Sequence, residues 1–142
     1  MVQLSQAGGV RKGARWALGT VVLTHLVINI IHGRAHSGAH VPLSFAAALF
    51  VYIVILAGPL AGLIASVWRP VAGAWIVAAT MAGALVFGLV NHFIIAGPDH
   101  VTHVAAEWRT LFGTTAALLL VSEAVGVGTG IWCAARNVRR AS

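Results

Sequence analysis

The stretch SFAAALFVYIVILAGPLAGLIASV, residues 44–67, decides the fold class because it contains no charged side chain. A helix of about 20 apolar residues crosses a hydrocarbon core of roughly 30 Å. Three further runs of this kind occupy residues 16–36, 72–95 and 110–133. The chain is 59% hydrophobic and only 8% charged, unlike a soluble domain. The sequence therefore predicts an all-α membrane protein with four transmembrane helices.

Turn-forming residues separate the four runs. Pro42, Arg69-Pro70 and Gly97-Pro98 fall between successive spans. We expect a single integral membrane domain over residues 1–142, folded as an up-down-up-down bundle. Pro98 suits the first residue of a helix, so a short interfacial helix is predicted between the third and fourth spans.

Basic residues are distributed asymmetrically around the spans, which predicts the orientation of the bundle. Seven of the nine precede the first span, lie in the second loop or follow the fourth span: Arg11, Lys12, Arg15, Arg69, Arg136, Arg139 and Arg140. The positive-inside rule places these regions, and both termini, in the cytoplasm. The expected location is a bacterial cytoplasmic membrane, with loops 37–43 and 96–109 facing the periplasm. Topology and lipid contact account for the net charge of +6, so no nucleic-acid partner is expected.

The first span carries a stripe of polar side chains. At about 100° per residue, His25, Asn29, His32 and His36 fall within an arc of about 60° on a helix. Because polar groups facing lipid are costly, this stripe is expected to face the bundle interior. Interhelical hydrogen bonding is the alternative role for such a stripe.

A second polar group follows the third span, in NHFIIAGPDHVTHVAAEW, residues 91–108. It contains the residue types of a metal site: His92, Asp99, His100 and His103, with Glu107 as the weakest candidate. A solvated loop, in which Asp99 caps a helix start, is the alternative interpretation. In the predicted topology, however, the first and third spans both end at the outer face, so the two polar groups meet there.

The combined groups predict a metal centre, since imidazole is a common metal ligand and a carboxylate balances the charge of the ion. The expected ligands come from one set: His32, His36, His92, Asp99, His100 and His103. The single cysteine, Cys133, excludes a thiolate cage within one chain. Copper is preferred and iron is second, while zinc and manganese are also compatible with these ligands.

Two further polar residues are expected near the middle of the membrane. Glu123 lies on the fourth span and His25 on the first, at similar depths. An intramembrane carboxylate indicates a functional site by default. We expect this pair to transfer protons or to supply an inner metal ligand, with structural hydrogen bonding as the alternative.

These features favour a small metal-dependent membrane oxidoreductase that acts on a quinol or another small molecule. The architecture also resembles four-helix membrane cytochromes. Binding of b-type haem is an alternative function, because His32 or His36 on the first span and His92 on the third lie at matched depths, as bis-histidine ligation requires. A non-enzymatic metal or proton carrier is a further alternative. So is an accessory subunit of a larger membrane complex, and assembly as a homo-oligomer is also compatible with the sequence.

Overall fold

The structure, a computed structural model, describes the backbone of residues 2–139 and the side chains of residues 13–139. All regular secondary structure in this part of the chain is helical. Four helices are long and apolar enough to cross a membrane, which confirms the prediction of four such helices. They are α1 (Val2–Gly38, with its apolar part at Gly13–Gly38), α2 (Phe45–Trp68), α3 (Pro70–Ile94) and α4 (Ala106–Val138). Their length and composition indicate an integral membrane protein.

Short connections join the first three helices. The Oγ of Ser44 accepts a hydrogen bond of 3.2 Å from the backbone N–H of Ala47 and caps the start of α2. Only Arg69 separates α2 from α3, and Pro70 occupies the first turn of α3, where its missing N–H costs no helical hydrogen bond. These local signals define where the helices begin.

Two helices contain π-helical stretches. In α2, the segment Val51–Ala57 is π-helical and lies just before Pro59, whose ring and missing N–H disturb the preceding turn. The widened helical segment thus lies in the part of α2 that the proline disturbs. In α3, the last residues, Val90–Ile94, are also π-helical and include His92. Such segments are often found at functional sites because they redirect side chains.

Small residues allow α3 to pack closely against both α2 and α4. A Cβ on Gly62 of α2 would lie 2.8 Å from the backbone nitrogen of Val77. A Cβ on Gly130 of α4 would lie 2.8 Å from the carbonyl oxygen of Ala74. Only glycine fits at these two positions without moving backbone. Gly62 and Gly130 therefore serve packing within the bundle, while α1 packs mainly against α4.

The segment between α3 and α4 consists of turns, so the predicted short helix beginning at Pro98 is wrong. The N–H of His100 donates to the Gly97 carbonyl, and the N–H of His103 donates to the His100 carbonyl. The N–H of Val101 donates instead to the carbonyl of His92, at 3.0 Å, and ties the segment to α3. Tertiary hydrogen bonds thus replace the local helical ones, and α4 begins only at Ala106.

Candidate metal centre

Three histidines from two helices meet beside the turn segment. His32 and His36 of α1 and His92 of α3 each offer one ring nitrogen within 4.8 Å of the others. We call these three residues the histidine cluster. His32 and His92 are each 6% exposed, and His36 is half-buried. The ring of Phe112 lies 4.8–5.2 Å from all three imidazole rings, measured between centroids, and closes the cluster from the side of α4.

The hydroxyl of Thr115 determines which nitrogen of His32 carries the proton. The Thr115 Oγ1 lies 2.7 Å from the carbonyl of Leu111 and donates its single hydrogen to the helix backbone. It also lies 2.9 Å from His32 Nδ1, so it must accept a hydrogen there. The proton of neutral His32 is therefore assigned to Nδ1 from its partner. The Nε2 of His32 is left with a free lone pair.

His92 has the same arrangement with a different partner. Its Nδ1 lies 3.1 Å from the backbone carbonyl of Asp99, which can only accept a hydrogen bond. The proton of neutral His92 is accordingly assigned to Nδ1, and its Nε2 also has a free lone pair. This Nε2 lies 3.3 Å from the Nε2 of His32. Two lone pairs facing each other at this distance repel unless a cation lies between them.

The distance between these two nitrogens suits a shared metal ion. Metal–imidazole bonds of about 2.0–2.1 Å in a tetrahedral site place neighbouring nitrogens roughly 3.3 Å apart. The observed separation of His32 Nε2 and His92 Nε2 is 3.3 Å. The two nitrogens are thus already separated like two ligands of one ion.

The Asp99 carboxylate lies beside two of the three imidazoles of the histidine cluster. Its Oδ1 lies 3.1 Å from His36 Nε2 and 3.3 Å from His92 Nδ1. The other nitrogen of His36, Nδ1, is buried and has no hydrogen-bond partner among the described residues. Histidine ligands of metals typically bind the ion through one nitrogen and donate the other to a carboxylate or carbonyl. Asp99 is therefore placed to orient His36 and His92.

The Asp99 side chain remains ionised in this setting. Partial burial disfavours the charged carboxylate, but the adjoining imidazoles of His36 and His92 outweigh that effect and hold the pKa of Asp99 well below its ordinary value. A negative charge beside the cluster lowers the cost of placing a cation in a partly apolar site.

The structure does not bring His100 and His103 into the histidine cluster. Their rings lie 5.4 Å apart, forming a separate pair on the turn segment. His100 Nδ1 contacts the Thr102 hydroxyl at 2.7 Å, and His103 Nδ1–H donates to the Gly97 carbonyl at 2.8 Å. Glu107 is exposed at the start of α4. His100 and His103 thus form hydrogen bonds within the turn segment that contains Asp99.

His25 and Glu123 face each other deeper in the bundle, with His25 Nδ1 3.8 Å from Glu123 Oε1. Both side chains are almost fully buried, at 1% and 2% exposure for the residues. The Nε2 of His25 lies 3.2 Å from the carbonyl of Ile55 and 3.0 Å from the amide nitrogen of Asn29, and Asn29 also donates to the carbonyl of His25. In contrast, His25 Nδ1 and Glu123 Oε2 have no hydrogen-bond partner among the described residues. A water molecule or a proton between these atoms would complete the pair.

A cavity of about 310 Å³ connects the two polar sites. The histidine cluster and Asp99 line one end, and Glu123 lines the other. Gly88 lies between them: a Cβ at this position would be 3.9 Å from both Glu123 Oε2 and His92 Cδ2. The absence of a side chain at Gly88 thus keeps the passage between the two sites open.

Sequence reasoning missed two residues of the site, Thr115 and Phe112. Both are buried on α4 and contact the cluster from a distant part of the chain. Thr115 is an ordinary residue in an apolar span, and nothing in its local sequence distinguishes it from other threonines. Its spacing from Glu123, eight residues along the same helix, is the one available signal, because it places both on a similar face.

Comparisons of the chain with protein-family models, curated proteins and solved structures found no match. The kind of site is therefore inferred from the residues that form it. Three imidazoles from two membrane-length helices lie close enough to hold one metal ion, and a carboxylate adjoins them.

Proposed function

We propose that this protein is a small metal-dependent membrane oxidoreductase. The observation that supports it best is the distance of 3.3 Å between His32 Nε2 and His92 Nε2. The lone pairs assigned to these two nitrogens face each other and need a cation between them. His36 completes a three-imidazole set. Thr115 and Asp99 hold the opposite nitrogens, so the ligands are oriented before the metal binds.

Copper is the preferred metal and iron the second. Imidazole nitrogen suits copper, iron and zinc, and copper(II) binds most strongly among divalent first-row metals at a given site. Zinc fits the same ligands but has no redox chemistry. Three protein ligands leave one coordination position for a small molecule, and the cavity of about 310 Å³ reaches the cluster. A redox metal with an accessible substrate cavity is the basis for the assignment as an oxidoreductase.

The buried pair provides the proton chemistry in this proposal. Electron transfer from a hydroxylated substrate releases protons, which need an acceptor inside the low-dielectric bundle. Glu123 lines the cavity and lies 3.8 Å from His25. We assign these two residues to proton transfer rather than to metal binding, because Glu123 belongs to no three-residue ligand group among the described residues.

We further propose an up-down-up-down bundle with both termini in the cytoplasm. Ala14 contacts Cys133 at one end of α1 and α4, and His32 contacts Thr115 towards the other, so these helices run in opposite directions. The basic flanks give the orientation by the positive-inside rule. In intact cells, a membrane-impermeant thiol reagent should label a cysteine placed at Ser37 but not one at Ser142. The reverse pattern would refute the periplasmic placement of the metal centre.

The b-haem alternative fits the geometry less well. A bis-histidine haem places its iron and the porphyrin plane between two imidazoles. The facing nitrogens of His32 and His92 are already in contact, and a third imidazole adjoins them. The rings would have to separate widely to admit a porphyrin.

A proton carrier is a second candidate that the same contact favours. One proton shared between His32 Nε2 and His92 Nε2 would also relieve the repulsion of their lone pairs. In that case the cluster would bind no metal, and the path to Glu123 would carry protons only.

Metal analysis of detergent-purified protein, together with its absorption and electron paramagnetic resonance spectra, tests the proposal. We expect about one copper or iron per chain, bound through nitrogen, and no Soret band. A Soret band would establish haem binding instead. Protein that binds no copper, iron or zinc after dialysis against each metal would refute the metal centre and favour the proton carrier.

A further inference from the structure

The cavity beside the histidine cluster has an open side between α1 and α2. Helix α1 contacts α2 mainly along the second half of α2, at residues 58–68. The first half of α2 contacts α1 at the Ile55 carbonyl, which lies 3.2 Å from His25 Nε2, but it does not pack along the part of α1 that carries His32 and His36. Gly33 of α1 and Tyr52 of α2 both line the cavity, and both are exposed. In a bilayer, this gap faces lipid rather than water.

The wall of the cavity is apolar in the middle and polar at its two ends. Aliphatic and aromatic side chains form the middle: Val51, Ile55, Leu56, Phe87 and Leu119. Asp99 and His36 lie at one end, and Glu123 lies at the other. Glu123 is 2% exposed, and its Oε2 has no hydrogen-bond partner among the described residues. A buried, unpartnered carboxyl oxygen in a ligand-sized cavity needs a hydrogen-bonding ligand or water.

We propose that this cavity binds the head group of a lipid-soluble quinol or quinone, which enters sideways from the bilayer between α1 and α2. Such a head group is a flat, apolar ring with oxygens on opposite sides, and it matches apolar walls with polar ends. The role of the quinol as a redox substrate rests on the proposed oxidoreductase function, whereas its binding site is inferred from the cavity alone.

The size of the cavity agrees with this ligand. An apolar cavity of about 150 Å³ accommodates benzene, and ligand pockets begin at roughly 300 Å³. At about 310 Å³, this cavity can hold a substituted six-membered ring, while the isoprenoid tail stays in the lipid. A phospholipid acyl chain would fill the middle of the cavity but would leave the Glu123 carboxyl without a partner.

Photolabelling with a short-tailed azidobenzoquinone tests the proposal on the full-length protein in lipid nanodiscs. We expect labelling of residues on α2 or α3 that line the cavity, identified by mass spectrometry, and we expect excess unlabelled quinone to suppress it. Gly33→Leu should place a side chain at the opening, since a Cβ there meets nothing within 4 Å and the fold is not disturbed. The expected loss of labelling is about tenfold, which corresponds to ~1.4 kcal/mol of binding free energy.

Gly19→Leu is the matched control, because Gly19 lies on the same helix, has equal space around its Cβ position and does not line the cavity. It should label like the unmodified protein. Labelling that unlabelled quinone does not suppress, or that Gly33→Leu leaves unchanged, would overturn the proposal. Metal content is measured on the same samples. Suppressible labelling without bound metal would retain the quinone site and reject the oxidoreductase, whereas metal without labelling would reject the quinone site only.

Discussion

Replacing Thr115 with valine should weaken metal binding although Thr115 cannot itself contact the ion. The substitution keeps the shape of the side chain but removes the hydroxyl that accepts the His32 Nδ1 proton at 2.9 Å. Without that acceptor, His32 can move its proton to Nε2, the nitrogen that faces His92. A protonated Nε2 cannot bind a metal, so the ion must compete with this tautomer.

The expected size of the effect follows from the role of Thr115 as a partner of a ligand. Loss of such a partner typically weakens metal affinity by about 10–100-fold, equivalent to roughly 1.4–2.8 kcal/mol. The metal-free protein should lose less, because one neutral hydrogen bond contributes about 0.5–1.5 kcal/mol to stability. The change should therefore be clearly larger in metal affinity than in the thermal stability of metal-free protein.

Competition with a chelator of known affinity measures the metal dissociation constant in detergent, and thermal unfolding in EDTA measures the stability of the metal-free protein. Thr80→Val is the matched control, because the Thr80 hydroxyl donates only to backbone carbonyls of its own helix, Ile76 and Val77. Unchanged metal affinity in Thr115→Val would refute the tautomer argument. Equal weakening by both substitutions would assign the effect to general helix destabilisation.

Three further experiments test the ligands, the proton path and the helix packing separately. His36→Ala should remove most of the bound metal, whereas His100→Ala should retain it, because His36 belongs to the histidine cluster and His100 does not. The metal content of the folded variants checks this. Loss of metal in His100→Ala but not in His36→Ala would make His100 the ligand. Glu123→Gln should retain the metal but slow its reduction by a quinol in stopped-flow absorbance, because an amide is a poor proton acceptor; loss of metal would make Glu123 a ligand. Gly130→Ala should lower the free energy of unfolding by about 1–3 kcal/mol in denaturant, because the added Cβ would lie 2.8 Å from a backbone oxygen. Gly128→Ala is the control: a Cβ at Gly128 meets nothing within 4 Å, so the free energy of unfolding should change by less than about 0.5 kcal/mol.

The sequence by itself determined the helical part of the fold and the chemistry available to the site. Charge-free runs such as residues 44–67 can satisfy their backbone groups in hydrocarbon only as helices or closed barrels, and their length selects helices. The spacing of His25, His32 and His36 on one helix follows from helical geometry alone. These properties depend on neighbours within a few turns, so a local pattern was sufficient to predict them.

Only the tertiary structure decided which residues meet around one point. His92 joins His32, whereas His100 and His103, seemingly equivalent in sequence, lie on turns directed elsewhere. Asp99 caps no helix, and its carboxylate contacts the imidazoles of His36 and His92.

The physical reason is the competition between local and long-range hydrogen bonds. A helix from Pro98 would have used backbone groups that instead bond back to the end of α3, including the Asp99 carbonyl to His92. Thr115 shows the same limit, because its hydroxyl gains a role only when α4 packs beside His32, 83 residues away along the chain. Residue type and helical period show what a side chain can do, but packing between helices determines which nitrogen faces which.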